Sequence, residues 1–448
     1  RFKGGYADCI VQGKLVISPR WPFHPNRFPF YYGWVVLGVS TLGILCSIPG
    51  QTMGLAVFTD HFMEALSLQR TEISLAYLIG TVGASFLLST AGRYFDLWGA
   101  RAMIPIASVL LSVSIIFISV IDKIDSILGT SSLVSFGLIT LGYFGARLFG
   151  QGVLTNCSRN VLLLWFDKQR GLAIGIRNLF VTFGFSIAPM LIGSSIAMMG
   201  WRETLWIMAG VAGIFFFLLS ILFVRDTPES CGLKMDGIDS SDLEETFLYG
   251  VNKTIKEAKN SPVFWIYSLS LSMSALFGTA LVFHIISIFN EAGRDASEAF
   301  GYFFPAAVCA TSANFIASYI SDRISLKPFL IIMLTAMCLG AIGFINLDRN
   351  WGYWILIAGF GVSTGLWSLL GNLTFVRFFG TAHLGEISGL SSSMNVFASA
   401  IGPAIFSLGY DFFGTYAAPA KICLVALILL LSIAIFLSQT EPSPEVSR

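Results

Sequence analysis

The chain has 448 residues, 55% of them hydrophobic and only 12% charged, with a formal net charge of +1 and a mean hydropathy of +0.76. Such a balance excludes an ordinary soluble domain and predicts a polytopic, all-α membrane protein. It also leaves no excess of positive charge for a nucleic-acid partner.

Residues 1–30 are polar and punctuated by proline, without the continuous apolar core of a signal peptide, and read as an N-terminal segment on the cytoplasmic side. A membrane span needs about 20 apolar residues. Runs of that kind lie at 31–57, 74–95, 102–121, 138–165, 171–199 and 203–224, predicting a first six-helix bundle over 31–224. A second bundle, over 262–438, follows from runs at 262–289, 298–320, 328–346, 352–376, 386–410 and 416–438. Between them, 225–261 carries an acidic patch and then a lysine-rich stretch and reads as a cytoplasmic linker, while 439–448 reads as a cytoplasmic tail. Forty phenylalanines and 44 glycines suit helices that face lipid with bulky side chains and one another with small ones.

Loop cations set the orientation. Arg93, Arg101, Lys168, Arg170, Arg225, Lys234, Arg323, Lys327 and Arg377 share one side with the cations of 1–30 and of the linker, whereas the other side holds Arg70, Lys123, Arg202, Arg294, Arg349 and Lys421. The bias predicts cytoplasmic termini in a multi-pass protein, expected as a monomer in the plasma membrane.

The two sets of spans echo one another. "GRYFDLWGAR" (Gly92–Arg101) has a counterpart in "SYISDRISLK" (Ser318–Lys327), each following a second span. The preceding outer loops align Glu64 with Glu291 and Glu72 with Glu298, and the later inner loops, "WFDKQRGLAIG" and "RFFGTAHLGEISG", align aromatic and glycine positions. Duplicated bundles of this kind are a transporter architecture.

Twelve spans in two halves, the linker and the G-x-x-x-D-x-x-G-x-R loop resemble the major facilitator superfamily over roughly residues 31–438. Gly92, Asp96, Gly99 and Arg101 stand at the family's motif positions, with Leu97 and Ala100 where basic residues are usual. "YYGWVVLG" in the first span and "DTPESCGLKMDG" after the sixth look like the monocarboxylate and oxalate/formate carrier branch. Carriers of that branch commonly place a cation in span 8 and, in the oxalate type, a lysine in span 11; here those runs hold none, so cationic recognition is expected from spans 4 and 5.

Asp96 and Arg101, with Asp322 and Arg323 as counterparts, fall at span ends, where a carboxylate can meet a helix N-terminus or an arginine when the inner face is closed. They are expected to form a conformational latch. The substrate reading rests on charge inside the spans. An embedded ion costs about 2.5–3.5 kcal/mol on insertion scales and therefore faces a cavity or a partner. Arg147, Arg159 and Arg177 lie inside spans, and no Asp or Glu lies at comparable depth. A small organic anion that arrives and leaves would satisfy them, with Asn372 as a facing neutral partner. Gln51, Asn156, Asn178, Asn314, Trp367 and Asn395 are further polar candidates, as is His284, the one histidine inside a span.

Seven scattered cysteines and four isolated histidines match no disulfide, metal or catalytic pattern, and no nucleotide-binding loop or cofactor motif is present. The expectation is a secondary carrier of a monocarboxylate or dicarboxylate, working by alternating access through exchange or proton cotransport. The alternatives are a multidrug or other small-molecule exporter of the same fold and a non-transporting sensor.

Overall fold

A computed structural model describes residues 21–129, 131–236 and 252–437. Most of the N-terminal segment with Cys9, the middle of the expected linker and the expected tail lie outside the described residues.

Among the described residues, twelve helices are long and apolar enough to cross a membrane: α1 Gly33–Ala56, α2 Thr71–Trp98, α3 Ala100–Ser119, α4 Ser132–Trp165, α5 Arg170–Met199, α6 Trp201–Phe223, α7 Pro262–Phe283, α8 Ser297–Ser321, α9 Lys327–Ile345, α10 Asn350–Phe379, α11 Leu384–Phe413 and α12 Ala417–Phe436. The protein is an integral, multi-pass, all-helical membrane protein. Helices cross lipid because each satisfies its own backbone. Where they must touch, glycine removes the obstacle. A Cβ at Gly359 would overlap the backbone of Gly340, which seats α10 directly on α9.

The breaks in the helices are matched to one another. Pro49 and Gly50 end the first half of α1 in a 3-10 turn (Ile48–Gly50) followed by an extended Gln51, with φ −85° and ψ 156°. The Gly50 backbone lies against Ala146 and Gly150, where α4 widens into a π-helical stretch, Arg147–Leu154. Such stretches recur at functional sites.

The internal repeat extends further than the loops showed. α5 and α11 are both 30 residues long, and Pro189 and Pro403 stand at the same place in each. So do Gly171 and Gly385, and Gly175 and Gly389.

The chain forms two compact units whose bounds depart from the two consecutive sets of six spans. One unit comprises the described residues of Arg1–Lys168, Phe180–Tyr249 and Ala382–Ser392; the other comprises those of Gln169–Leu179, Gly250–Thr381 and Ser393–Arg448. Each therefore includes the opening turns of a helix from the other half of the chain.

Parts of the expected linker are built into these units. In the first, buried Arg225 donates to the carbonyls of Leu222 and Val224 at 2.8 Å and of Trp21 at 3.0 Å, over the ring of Phe23. Trp165 Nε1 donates to the Arg225 carbonyl at 3.1 Å, and Tyr32 donates to that of Phe223 at 2.7 Å. Burial pushes the Tyr32 hydroxyl up to about 12. In the second, Ile255–Asn260 is a short helix closed by a Thr254–Glu257 capping box.

Candidate functional site

Two carboxylates clasp the opening turns of α11 and α5. Within the first unit, Asp96, near the end of α2, accepts from the backbone N–H of Gly385 at 2.7 Å and of Glu386 at 2.8 Å. Within the second, Asp322, just after α8, accepts from Gly171 at 2.7 Å and Leu172 at 3.3 Å. The first N–H groups of a helix lack intrahelical partners and carry the positive end of its dipole, so each contact is charge-assisted. Glycine makes the approach possible: a Cβ on Gly385 would strike the Gly92 carbonyl, and one on Gly171 would strike the Ser318 carbonyl. Arg377 of α10 adds an ion pair to Asp322 at 4.0 Å. Burial raises the Asp322 pKa above the ordinary carboxylate value, against the lowering effect of these N–H groups and of Arg377 and Arg170.

The remaining latch candidates make other contacts. The Arg101 backbone N–H donates to Asp226 Oδ1 at 2.9 Å, and its guanidinium donates to the Trp21 carbonyl. Gly99, at φ +82°, brings the turn so close that a Cβ would overlap Asp226. Arg101 therefore ties the start of α3 to the segment that precedes α1, at Trp21, and to the one that follows α6, at Asp226. Arg323 is exposed and lies over the Tyr319 ring, outside the Asp322 contact.

Deep in the second unit lies a polar network. Arg177, buried about 10 Å along α5 from its first residue, donates through Nη2 to Asn372 Oδ1 of α10 at 2.8 Å and to Asn178 Oδ1 at 3.2 Å. The Asn372 amide donates in turn to the Ser368 carbonyl at 2.5 Å. Asn178 donates to Ser368 Oγ at 3.0 Å and Asn314 Oδ1 at 3.3 Å, and Asn314 donates to the Gly365 carbonyl at 2.9 Å. Asn178 and Ser368 are the half-buried members of a network otherwise sealed at Arg177, Asn314 and Asn372.

Arg159 differs from the other embedded arginines. It is half-buried in α4 of the first unit, about 9 Å from the helix end at Trp165, and it makes no hydrogen bond or ion pair with any described residue. Arg147 is held by the break in α1: its Nη1 donates to the Gly50 carbonyl at 3.3 Å and Thr52 Oγ1 at 3.2 Å, with its guanidinium 5.1 Å from the centre of the Tyr77 ring. Gln51 spans the same region, donating to Ser47 Oγ at 2.9 Å and Thr155 Oγ1 at 3.2 Å.

Three candidates in the second unit lie on interhelical contacts. His284, at the end of α7, is 2.9 Å from the Pro403 carbonyl, Ser272 donates to Asn395 at 3.0 Å, and Trp367 Nε1 donates to the Leu271 carbonyl at 3.0 Å. Sequence reasoning passed over Asp226 and the contact of Asn160 with Ser388 (2.9 Å), which together with that of the candidate Asn156 with Ser392 (2.9 Å) reinforces the α11 clasp inside the first unit. The glycine pairs Gly171/Gly175 and Gly385/Gly389, one helical turn apart, were the available signal. Among the described residues no group of His, Cys, Asp or Glu is arranged to hold a metal.

Twelve spans among the described residues, matched helix breaks and twin carboxylate clasps define a polytopic membrane protein built on an internal repeat. The chain belongs to the Major Facilitator Superfamily, whose family model matches residues 40–403. It is 26% identical over 162 residues to the "Probable L-galactonate transporter" of Escherichia coli (strain K12), over 36% of this chain and 33% of that protein. It is also 24% identical over 193 residues to the "MFS-type transporter hasB" of Aspergillus fumigatus (strain CBS 144.89 / FGSC A1163 / CEA10), over 42% and 40% of the two chains. These matches span between a third and two fifths of the length of either relative.

Solved structures share the fold. The proton:xylose symporter XylE bound to 6-bromo-6-deoxy-D-glucose superposes with a TM-score of 0.68 at 15% identity, covering 92% of this chain and 97% of that one. The E. coli fucose:proton symporter FucP gives 0.65 at 16%, covering 92% and 100%. The human organic anion transporter MFSD10 gives 0.57 at 15%, covering 90% and 99%.

Proposed function

We propose that the protein carries a small organic anion, a monocarboxylate or dicarboxylate including sugar acids, by alternating access. The observation that carries this reading is Arg159, a membrane-embedded cation without a hydrogen-bonding or ionic partner among the described residues. A permanent cation in that setting is costly, and a carboxylate substrate offsets the cost while bound. Arg177 supplies a second embedded guanidinium, whose bonds to Asn178 and Asn372 are to neutral groups. The partial likeness to a protein named for L-galactonate transport supports an organic acid. The likeness of "YYGWVVLG" and "DTPESCGLKMDG" to monocarboxylate and oxalate/formate carriers supports the same class.

Flux runs by exchange or with protons, through a monomer in the plasma membrane with cytoplasmic termini. The Asp96 and Asp322 clasps hold one state of the cycle and are released in the other. The test is uptake of labelled lactate, oxalate, succinate and gluconate into proteoliposomes holding purified protein, with and without each acid inside and with and without an imposed pH gradient. Saturable uptake of at least one acid supports the reading. Uptake no faster than in protein-free vesicles for all four, alongside active transport of a cationic dye, would favour an exporter.

A further inference from the structure

The α5 and α11 clasps are built alike at the carboxylate and differently one to two turns on. In α11 the supporting contacts are neutral, Ser388 to Asn160 and Ser392 to Asn156. In α5 the position matching Ser391 is Arg177, and its Nη2 receives two amide oxygens, from Asn372 at 2.8 Å and Asn178 at 3.2 Å. Two neutral oxygens share one guanidinium nitrogen, Nη2, where one oxygen of a carboxylate would sit while its other oxygen took a neighbouring nitrogen of the fork. A carboxylate binds a guanidinium about twice as strongly as a neutral acceptor does.

We propose that Asn372 is a specificity-determining residue that holds this place on Arg177 until the substrate carboxylate takes it. This rests on the organic-anion reading and adds how that anion is recognised. Entry is by way of Asn178 and Ser368, the half-buried edge of the network. Displaced from Arg177, the Asn372 amide keeps its bond to the Ser368 carbonyl, so the exchange leaves it partly satisfied. A neutral solute gains nothing from the exchange, because it replaces one neutral acceptor with another. Binding at Arg177 also removes a bond that ties α5 to α10, so occupancy and the hold on the α5 opening turns are coupled.

The variants make opposite demands. Asn372→Asp is isosteric and places a permanent carboxylate on Arg177; it should fold with thermal stability at least equal to the parent and bind anions about tenfold to a hundredfold more weakly, the loss of roughly one charge-assisted hydrogen bond. Asn372→Ala, with Asn372→Ser as a second small replacement, removes the competitor and should bind anions more tightly than the parent. A merely structural asparagine predicts the reverse order, with Asp tolerated and Ala or Ser damaging. The measurement is binding of lactate, oxalate, succinate and gluconate to the purified full-length proteins by calorimetry. Weaker binding by the Asp variant together with tighter binding by a small variant supports the proposal. Parental binding by the Asp variant, or equal or weaker binding by both small variants, overturns it. A parent that binds none of the four acids overturns the organic-anion reading first and this proposal with it.

Discussion

Arg147 and Arg159 share a helix and chemistry but not surroundings. Arg147 is spent on the α1 break, so Arg147→Met should destabilise the protein by about 1–3 kcal/mol, the cost of leaving buried acceptors unsatisfied. Anion binding by the folded fraction should stay within a few fold of the parent. Thermal melting and calorimetry on the same preparation check both. Asp122 shows the opposite situation, at the protein surface. It meets Arg202 through two bonds of 2.9 Å, and that contact, more than any other influence, holds its pKa below the ordinary carboxylate value. A depressed acid contributes stability above its unfolded pKa of about 3.9, lost as pH falls through the lower folded value. Asp122→Asn should therefore melt below the parent at neutral pH, by an amount reflecting about 0.2–1 kcal/mol for a surface ion pair, and the gap should close in strong acid.

Among single residues, sequence showed which were unusual and not what they touch. Embedded arginines stood out because insertion is costly. That Arg147 serves the backbone of α1 depends on a π-helical turn and a 3-10 turn that no periodicity announces.

At the scale of elements, the repeat was legible in its loops because Asp96 and Asp322 are polar exceptions in apolar sequence. The faces of α5 and α11 were not, since helices apolar all round give no amphipathic stripe to say which side packs. Glycine is the missing sign. Gly385→Ala should push α11 off α2, at a cost of about 1–3 kcal/mol for overpacking, and should slow transport. Gly193→Ala, where a Cβ meets nothing within 4 Å, should be neutral. On the proposed role of the clasp, which biases a conformational equilibrium without touching substrate, Asp96→Asn should slow uptake while leaving anion affinity within a few fold. Parental uptake rates in Asp96→Asn would remove the clasp from the transport cycle.

At the scale of the whole molecule, the twelve spans follow from length and hydropathy alone, and the observed bounds differ from those expected mostly by a few residues. The compact units were less legible, because they exchange the opening turns of α5 and α11 through backbone contacts that composition does not record. Orientation rests on loop cations, and a cysteine at exposed Lys234 should react with an impermeant thiol reagent in inverted vesicles and resist it in intact cells.

The proposed function turns on Arg159. Arg159→Lys keeps the charge but replaces a planar fork with a point charge. Calorimetric binding of lactate, oxalate, succinate and gluconate should be weakened about tenfold to a hundredfold relative to the parent, while Arg147→Lys in the same detergent preparation changes affinity far less. Equal anion binding by Arg159→Lys and the parent would contradict the assignment of Arg159 to the substrate.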